Sequence, residues 1–226
     1  MQEQCNAGTK QHKTKLFKLK TMQRTKTTFQ LPKLQLKGVK FTVQGTTPLL
    51  VDNPSGTKVP STKISGAKPL TDSQKEEMFQ NSIYFLPDLE TQGIPVSWLK
   101  NSFRDGKSGV YSPKMLSKRM VMGGLKIKDT EAGLIAFDYS GPEIFYNTVQ
   151  KAAGGGIIHK VRAMYPEWSI DIECLFDEEI LDVQGVLSVF QTVGIKYGIG
   201  SWRTGGFYGQ FRILTENIET FNKEIL

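Results

Sequence analysis

Apolar residues recur at every second position through Val39, Phe41 and Val43, which predicts a strand with one buried face. The polar, turn-rich run from Asp52 to Pro69 lacks the apolar content to pack a core and is expected to be a surface loop. The spacing then turns helical. Thr71 or Asp72 is a suitable N-cap, and Phe79, Ile83 and Leu86 share a face. A second helix is expected after Pro95, with Val96, Leu99 and Phe103 as its stripe and Gly106 ending it. The stretch from Ser112 repeats that device, with Ser112 as cap and Pro113 in the first turn. Gly133 to Tyr146 reads as short strands broken at Gly141-Pro142, and Gly154 to Gly156 as a loop.

The last quarter carries the clearest pattern. Trp168, Ile170, Ile172, Cys174 and Phe176 alternate as one face of a strand. Val183, Val186, Leu187, Phe190, Val193 and Tyr197 follow at helical spacing, and the acids Asp177, Glu178 and Glu179 suit that helix's N-terminal dipole. A glycine-rich segment and a short strand around Phe211 to Leu214 complete the chain's apolar pattern. The two halves each read as strand, helix, strand. This predicts an α+β, ferredoxin-like (RRM-like) antiparallel sheet with helices on one face. The expected organisation is a basic arm over 1–37 and one domain over 38–226, with insertions around 52–75 and 105–165.

Charge changes the picture at one end only. Residues 1–40 hold ten Lys/Arg, among them Lys13, Lys15, Lys18 and Lys20, against one acid, which leaves 19 basic and 21 acidic residues for the rest. A basic arm suits phosphate contacts; a solvated tail is the plain alternative. Two cysteines (Cys5, Cys174) and two histidines (His12, His159) fit neither a disulfide framework nor a zinc site. No metal or cofactor is expected. With no apolar run near bilayer length and no secretory signal, the expected location is cytoplasmic, without a membrane partner.

The segment Gly198 to Phe211 combines five glycines with Trp202, Arg203, Phe207 and Tyr208. Glycines without Cβ let backbone amides approach phosphate oxygens, and the aromatics offer stacking surface to splayed bases. The candidate binding residues here are Gly198, Gly200, Trp202, Arg203, Gly205, Gly206 and Tyr208. The competing reading packs the aromatics into the core and leaves the glycines to make a crossover. Lys100 and Arg104, four apart on one helix, can face the same ligand. Lys114, Lys118, Arg119, Lys126 and Lys128 can extend a basic track or form a plain exposed face.

Three stretches carry a family resemblance. "IPVSWLKNSFR" is similar to the I-P-x-S-x-L-K-x-x-x-R helix start of the RAMP superfamily of CRISPR-associated proteins. "GIGSWRTGGFYGQF" resembles its C-terminal glycine-rich loop, and "FTVQGTTPLLVDN" the first strand of its backbone-forming subunits. Val96 replaces the family's glycine, and Trp202-Arg203 replaces smaller or Lys-Thr residues. The resemblance implies an RNA recognition motif-like fold, binding to single-stranded RNA rather than DNA, and assembly along the strand. A CRISPR locus and a phage are both open as context.

The leading expectation is a non-enzymatic single-stranded nucleic-acid binder, with a homo-oligomer or larger assembly as further partner. The rival is a structural or assembly protein, viral in origin, whose arm links neighbouring copies. A metal-independent ribonuclease using His159 as acid or base ranks last. Asp52 falls where target-cleaving relatives carry an acid, but in "VDNPSG" it reads as a turn former.

Overall fold

The computed structural model describes residues 34–54, 68–105, 118–150, 157–203 and 207–225. Lys13, Lys15, Lys18, Lys20, Lys114, Gly154 to Gly156, Gly205 and Gly206 lie outside them. So do the proposed cap at Ser112 and most of the expected Asp52–Pro69 loop. The fold is α+β with mostly antiparallel sheets and four described helices.

Strand β1 (Leu34–Gly45) holds the middle of the main sheet. It pairs antiparallel with β10 (Trp168–Phe176) on one side and β11 (Phe211–Ile225) on the other. β5 (Leu125–Ile127) pairs antiparallel with β10, so the sheet runs β11-β1-β10-β5. The alternation at Val39, Phe41 and Val43 and from Trp168 to Phe176 is realised, with those eight side chains buried on one face. Two helices cover that face. Phe190 of α4 (Val183–Lys196) meets the edges of Phe41 and of Phe103 from α2 (Val96–Asp105), at 4.9 Å each. On the opposite face Glu173 takes Lys128 at 3.0 Å and Lys40 at 3.8 Å, and the Thr42 hydroxyl donates to Asp171 at 2.6 Å.

Two smaller three-stranded sheets flank this frame. One has the order β2 (Leu49–Val51), β9 (Ile157–Tyr165), β8 (Glu143–Gln150). The other has the order β3 (Tyr84–Phe85), β4 (Gln92–Pro95), β6 (Leu134–Ala136). A two-residue strand β7 (Asp138–Tyr139) joins β10. Helix α1 (Asp72–Ser82) opens with the expected Thr71 cap, in a box where Gln74 N–H donates to Thr71 Oγ1 and Thr71 N–H to Gln74 Oε1. Ser82 then ties α1 to β9 by accepting from Ala163 N–H at 2.9 Å. Helix α3 (Lys118–Gly124) leads into β5.

Several expectations are corrected. β1 begins at Leu34, inside the expected arm, because Leu34 to Lys37 pair with the C-terminal end of β11. β11 has 15 residues, far beyond the apolar stretch that predicted it. Its polar half is held by β1, where the Phe221 ring lies over Gly38 and leaves no room for a Cβ. Within the stretch 105–165, Phe137, Val161, Ala163 and Tyr165 belong to the core. Helix α1 stops at Ser82, leaving Ile83 extended and Leu86 in the connection to β4. Pro95 closes β4 instead of opening α2. The N-cap of α4 is Asp182, which accepts from Gly185 N–H, so the acids at 177–179 sit one turn too early.

Candidate nucleic-acid interface

The glycine-rich segment leaves α4 at Lys196 and returns to the sheet at Phe211, packed against the β1–β2 connection. Five of its described backbone donors are engaged within the fold. Gly198 N–H donates to Val193 O, Ile199 N–H to Gly209 O, Ser201 N–H to Leu50 O and Gly209 N–H to Pro48 O, at 2.8–3.0 Å. Gln210 N–H donates to Thr47 Oγ1 at 2.9 Å, and the Gln210 carbonyl accepts from Thr46 N–H at 2.8 Å. Buried main-chain groups need partners, and α4, the β1–β2 connection, β2 and the returning half of the loop supply them here. Gly198, Gly200 and Gly209 have φ of +62°, +84° and +67°. A Cβ on Gly200 would lie 2.7 Å from the Leu50 carbonyl oxygen, and one on Gly209 would overlap that of Ile199. The expected cradle of open amides is therefore corrected at Gly198 and Gly209, whose N–H groups are engaged. Gly198, Gly200 and Gly209 serve close backbone contacts.

Arg203 is also turned to internal use. Its Nη1 donates at 3.1 Å to the hydroxyl of Ser102, a buried residue of α2 that is also 2.5 Å from the Gly198 carbonyl oxygen. This contact splits the predicted constellation. Residues two apart on a helix are turned about 200° from one another, so Lys100 and Arg104 occupy the side of α2 away from the docked loop. Lys100 lines a cleft of about 620 Å³ with Asn53, Tyr84, Ser97, Asp129 and Leu134. Burial, and then the charge of Asp52, push the Tyr84 phenol above its usual range.

What the loop presents outward is aromatic. Trp202 holds φ +58°, a left-handed conformation costly for a non-glycine residue, and remains 44% exposed; Phe207 is 75% exposed. Trp202 and Tyr208 both meet Phe145 of β8 edge-on, at 5.8 and 5.7 Å between centroids. Beneath Trp202 lies Arg162 of β9, its guanidinium carbon 5.0 Å from the ring centroid. Arg162 is only 5% exposed. Its Nη1 donates to Asn147 Oδ1 at 2.8 Å, and its Nε stands 3.3 Å from Asp52 Oδ2 in a geometry too bent for a hydrogen bond. Burial lowers its pKa, while Asp52 acts in the opposite sense. Lys160 lies 3.7 Å from the same carboxylate.

Sequence reasoning passed over Phe145, Asn147, Lys160 and Arg162. The available signal was the alternation Lys160, Arg162 against His159, Val161, which sends both cations to one face of a strand. Asp52 anchors these two cations and is no lone turn former. His159 lies on the other face. Its ring stacks on Tyr146 with 6° between planes, Nδ1 is 2.5 Å from the Tyr146 hydroxyl, and Nε2 is buried without a partner. Neither nitrogen is presented to a substrate, which corrects His159 as a catalytic candidate. Among the described residues no group of His, Cys, Asp and Glu is placed to hold a metal ion, and no helix is long and apolar enough to cross a membrane.

Comparison with protein-family models gives no match, and comparison with curated proteins gives none.

Proposed function

We propose that this chain is a non-enzymatic binder of single-stranded nucleic acid, RNA before DNA, related to the RAMP superfamily and built on a ferredoxin-like frame. In support of the frame, β1, β5, β10 and β11 taken in chain order stand in the sheet as fourth, first, third, second, all antiparallel, with α2 and α4 on one face. The single observation that carries the binding reading is Trp202. It is held out of the core in a strained conformation, backed by Arg162 and Phe145, beside exposed Phe207. Stacking on such a platform tolerates any base and contributes about 1–3 kcal/mol per base. The outer face of the main sheet lacks this character, because Glu173 and Asp171 sit at its centre.

The test is fluorescence anisotropy of labelled RNA and DNA oligonucleotides across a salt series. Binding that weakens with salt and is weakened in Trp202→Ala supports the reading. Absence of binding at low salt would falsify it.

A second reading, an assembly protein, is favoured by charge. Removing the eight Lys/Arg and one acid of residues 1–33 leaves 21 of each for 34–226, so the body has no net attraction for phosphate. Light scattering of nucleic-acid-free protein separates the two: a defined oligomer supports assembly, and a monomer opposes it.

A further inference from the structure

Two adjacent cross-strand rows on the β8–β9 hairpin pair Phe145 with Arg162 and Asn147 with Lys160, all four on the face where Trp202 sits. We infer that these rows form a one-nucleotide subsite, with the base on Trp202 and the phosphate on Lys160 and the Asn147 amide; this rests on the binding reading above.

The donor inventory points to an anionic ligand. Arg162 has no acceptor atom, so it fixes Asn147 with Oδ1 inward and its NH₂ group elsewhere. That NH₂ is buried with no partner, whereas Arg162 Nε already faces Asp52 Oδ2 at 3.3 Å. Among the described residues, no orphan side-chain acceptor accompanies this donor on that face. Among the described residues, one carboxylate, Asp52, lies within 4 Å of these two cations, which leaves a local excess of one positive charge. Arg162 is buried under the indole, so the accessible cation is Lys160, whose side chain is 39% exposed. An oxygen-rich monoanion meets both deficits.

Spacing adds the base. Same-face residues two apart on a strand lie about 7 Å from one another. The row carrying Trp202 and the row carrying Lys160 are thus separated by a distance that a ribose bridges between base and phosphate. The ligand chemistry is a phosphorylated nucleotide, either free or one residue of a strand.

The experiment titrates the full chain with uridine 5′-monophosphate, uridine, inorganic phosphate and a short oligouridylate, following tryptophan fluorescence, with Trp202→Phe assigning the signal. The monophosphate is expected to bind more tightly than uridine, and phosphate alone to leave the fluorescence unchanged. Asn147→Asp keeps the acceptor for Arg162 while replacing the donor by a negative charge, and Lys160→Gln removes the accessible cation. Each is expected to weaken monophosphate or oligouridylate binding by about tenfold. Loss for the strand alone assigns the subsite to nucleic acid; loss for both ligands admits the free nucleotide. Equal binding of uridine and its monophosphate overturns the subsite. So does wild-type oligouridylate affinity in both variants, which leaves the broader reading standing. No oligouridylate binding by the wild type removes both. Should Asn147→Asp fail to fold, exposed Lys160→Gln decides alone.

Discussion

The Ser102 hydroxyl accepts from Arg203 at 3.1 Å, linking helix α2 to a loop 101 residues further along the chain. The same oxygen reaches the Gly198 carbonyl, so one side chain fastens both ends of the loop's first half. Ser102→Ala is expected to destabilise the protein by about 1–3 kcal/mol, because it strands buried partners. Urea denaturation reads this as a lower midpoint with unchanged slope. A midpoint within error of wild type would show that the clamp adds nothing.

Glycine substitutions should separate by position. At Gly209 a methyl group overlaps the Ile199 carbonyl and φ is +67°, so Gly209→Ala should cost at least about 2 kcal/mol. At Gly123 in α3 a Cβ meets nothing within 4 Å, so Gly123→Ala should be neutral or stabilising by up to about 1 kcal/mol. Thermal melts of the two variants test the contrast. Equal shifts would contradict the close-approach account.

In oligonucleotide titrations Trp202→Ala should lose about 1–3 kcal/mol of binding free energy. Arg203→Ala should instead lower stability, with its effect on affinity following from a loosened loop. Fluorescence anisotropy at a temperature where both variants remain folded checks this. A larger drop in affinity for Arg203→Ala than for Trp202→Ala would reverse the assignment.

Residues 1–33 carry the whole formal charge of +7, eight basic residues against one acid. Their deletion should flatten the dependence of log affinity on log salt, by about 0.7 for each phosphate that the arm neutralises. It should leave the difference between wild-type and Trp202→Ala bodies intact. An unchanged salt slope after deletion would exclude the arm from binding.

Burial drives the Cys174 thiol far above its usual range, with Glu173 adding to the shift, and raises the Tyr84 and Tyr165 phenols. In a Cys5→Ser background the thiol should therefore resist alkylation near pH 8 until the protein unfolds. For the phenols, the unfolded chain ionises first near pH 10, so stability should hold below that pH and fall as pH rises above it. Alkylation kinetics and ultraviolet titration of tyrosinate check the two statements.

Particular residues show what was legible in the sequence. The strand from Trp168 to Phe176 and the helix from Val183 could be read because one face of each is buried along its whole length. The Thr71 cap was legible for a local reason, since its partner Gln74 is three residues away. The second half of β11 was not. Its residues are polar, and what holds them is β1, with Phe221 resting on Gly38. The glycine loop was legible as conformational freedom but not as contact. A sequence states that φ can be positive, whereas what fills the space where a Cβ would stand depends on Leu49 and Leu50, some 150 residues away. Trp202 was named as a stacking surface, but its supports were not legible for the same reason, as Phe145 and Arg162 come from a hairpin distant in sequence.

The placement of β1 between β10 and β11 has a consequence for synthesis. The first of the described strands finds both of its neighbours more than 120 residues later, at β10 and β11. A nascent chain therefore waits, with Val39, Phe41 and Val43 unburied, until β10 and β11 have been translated. Truncation within β11 should accordingly yield an aggregation-prone product with a naked sheet edge, and not a smaller stable protein.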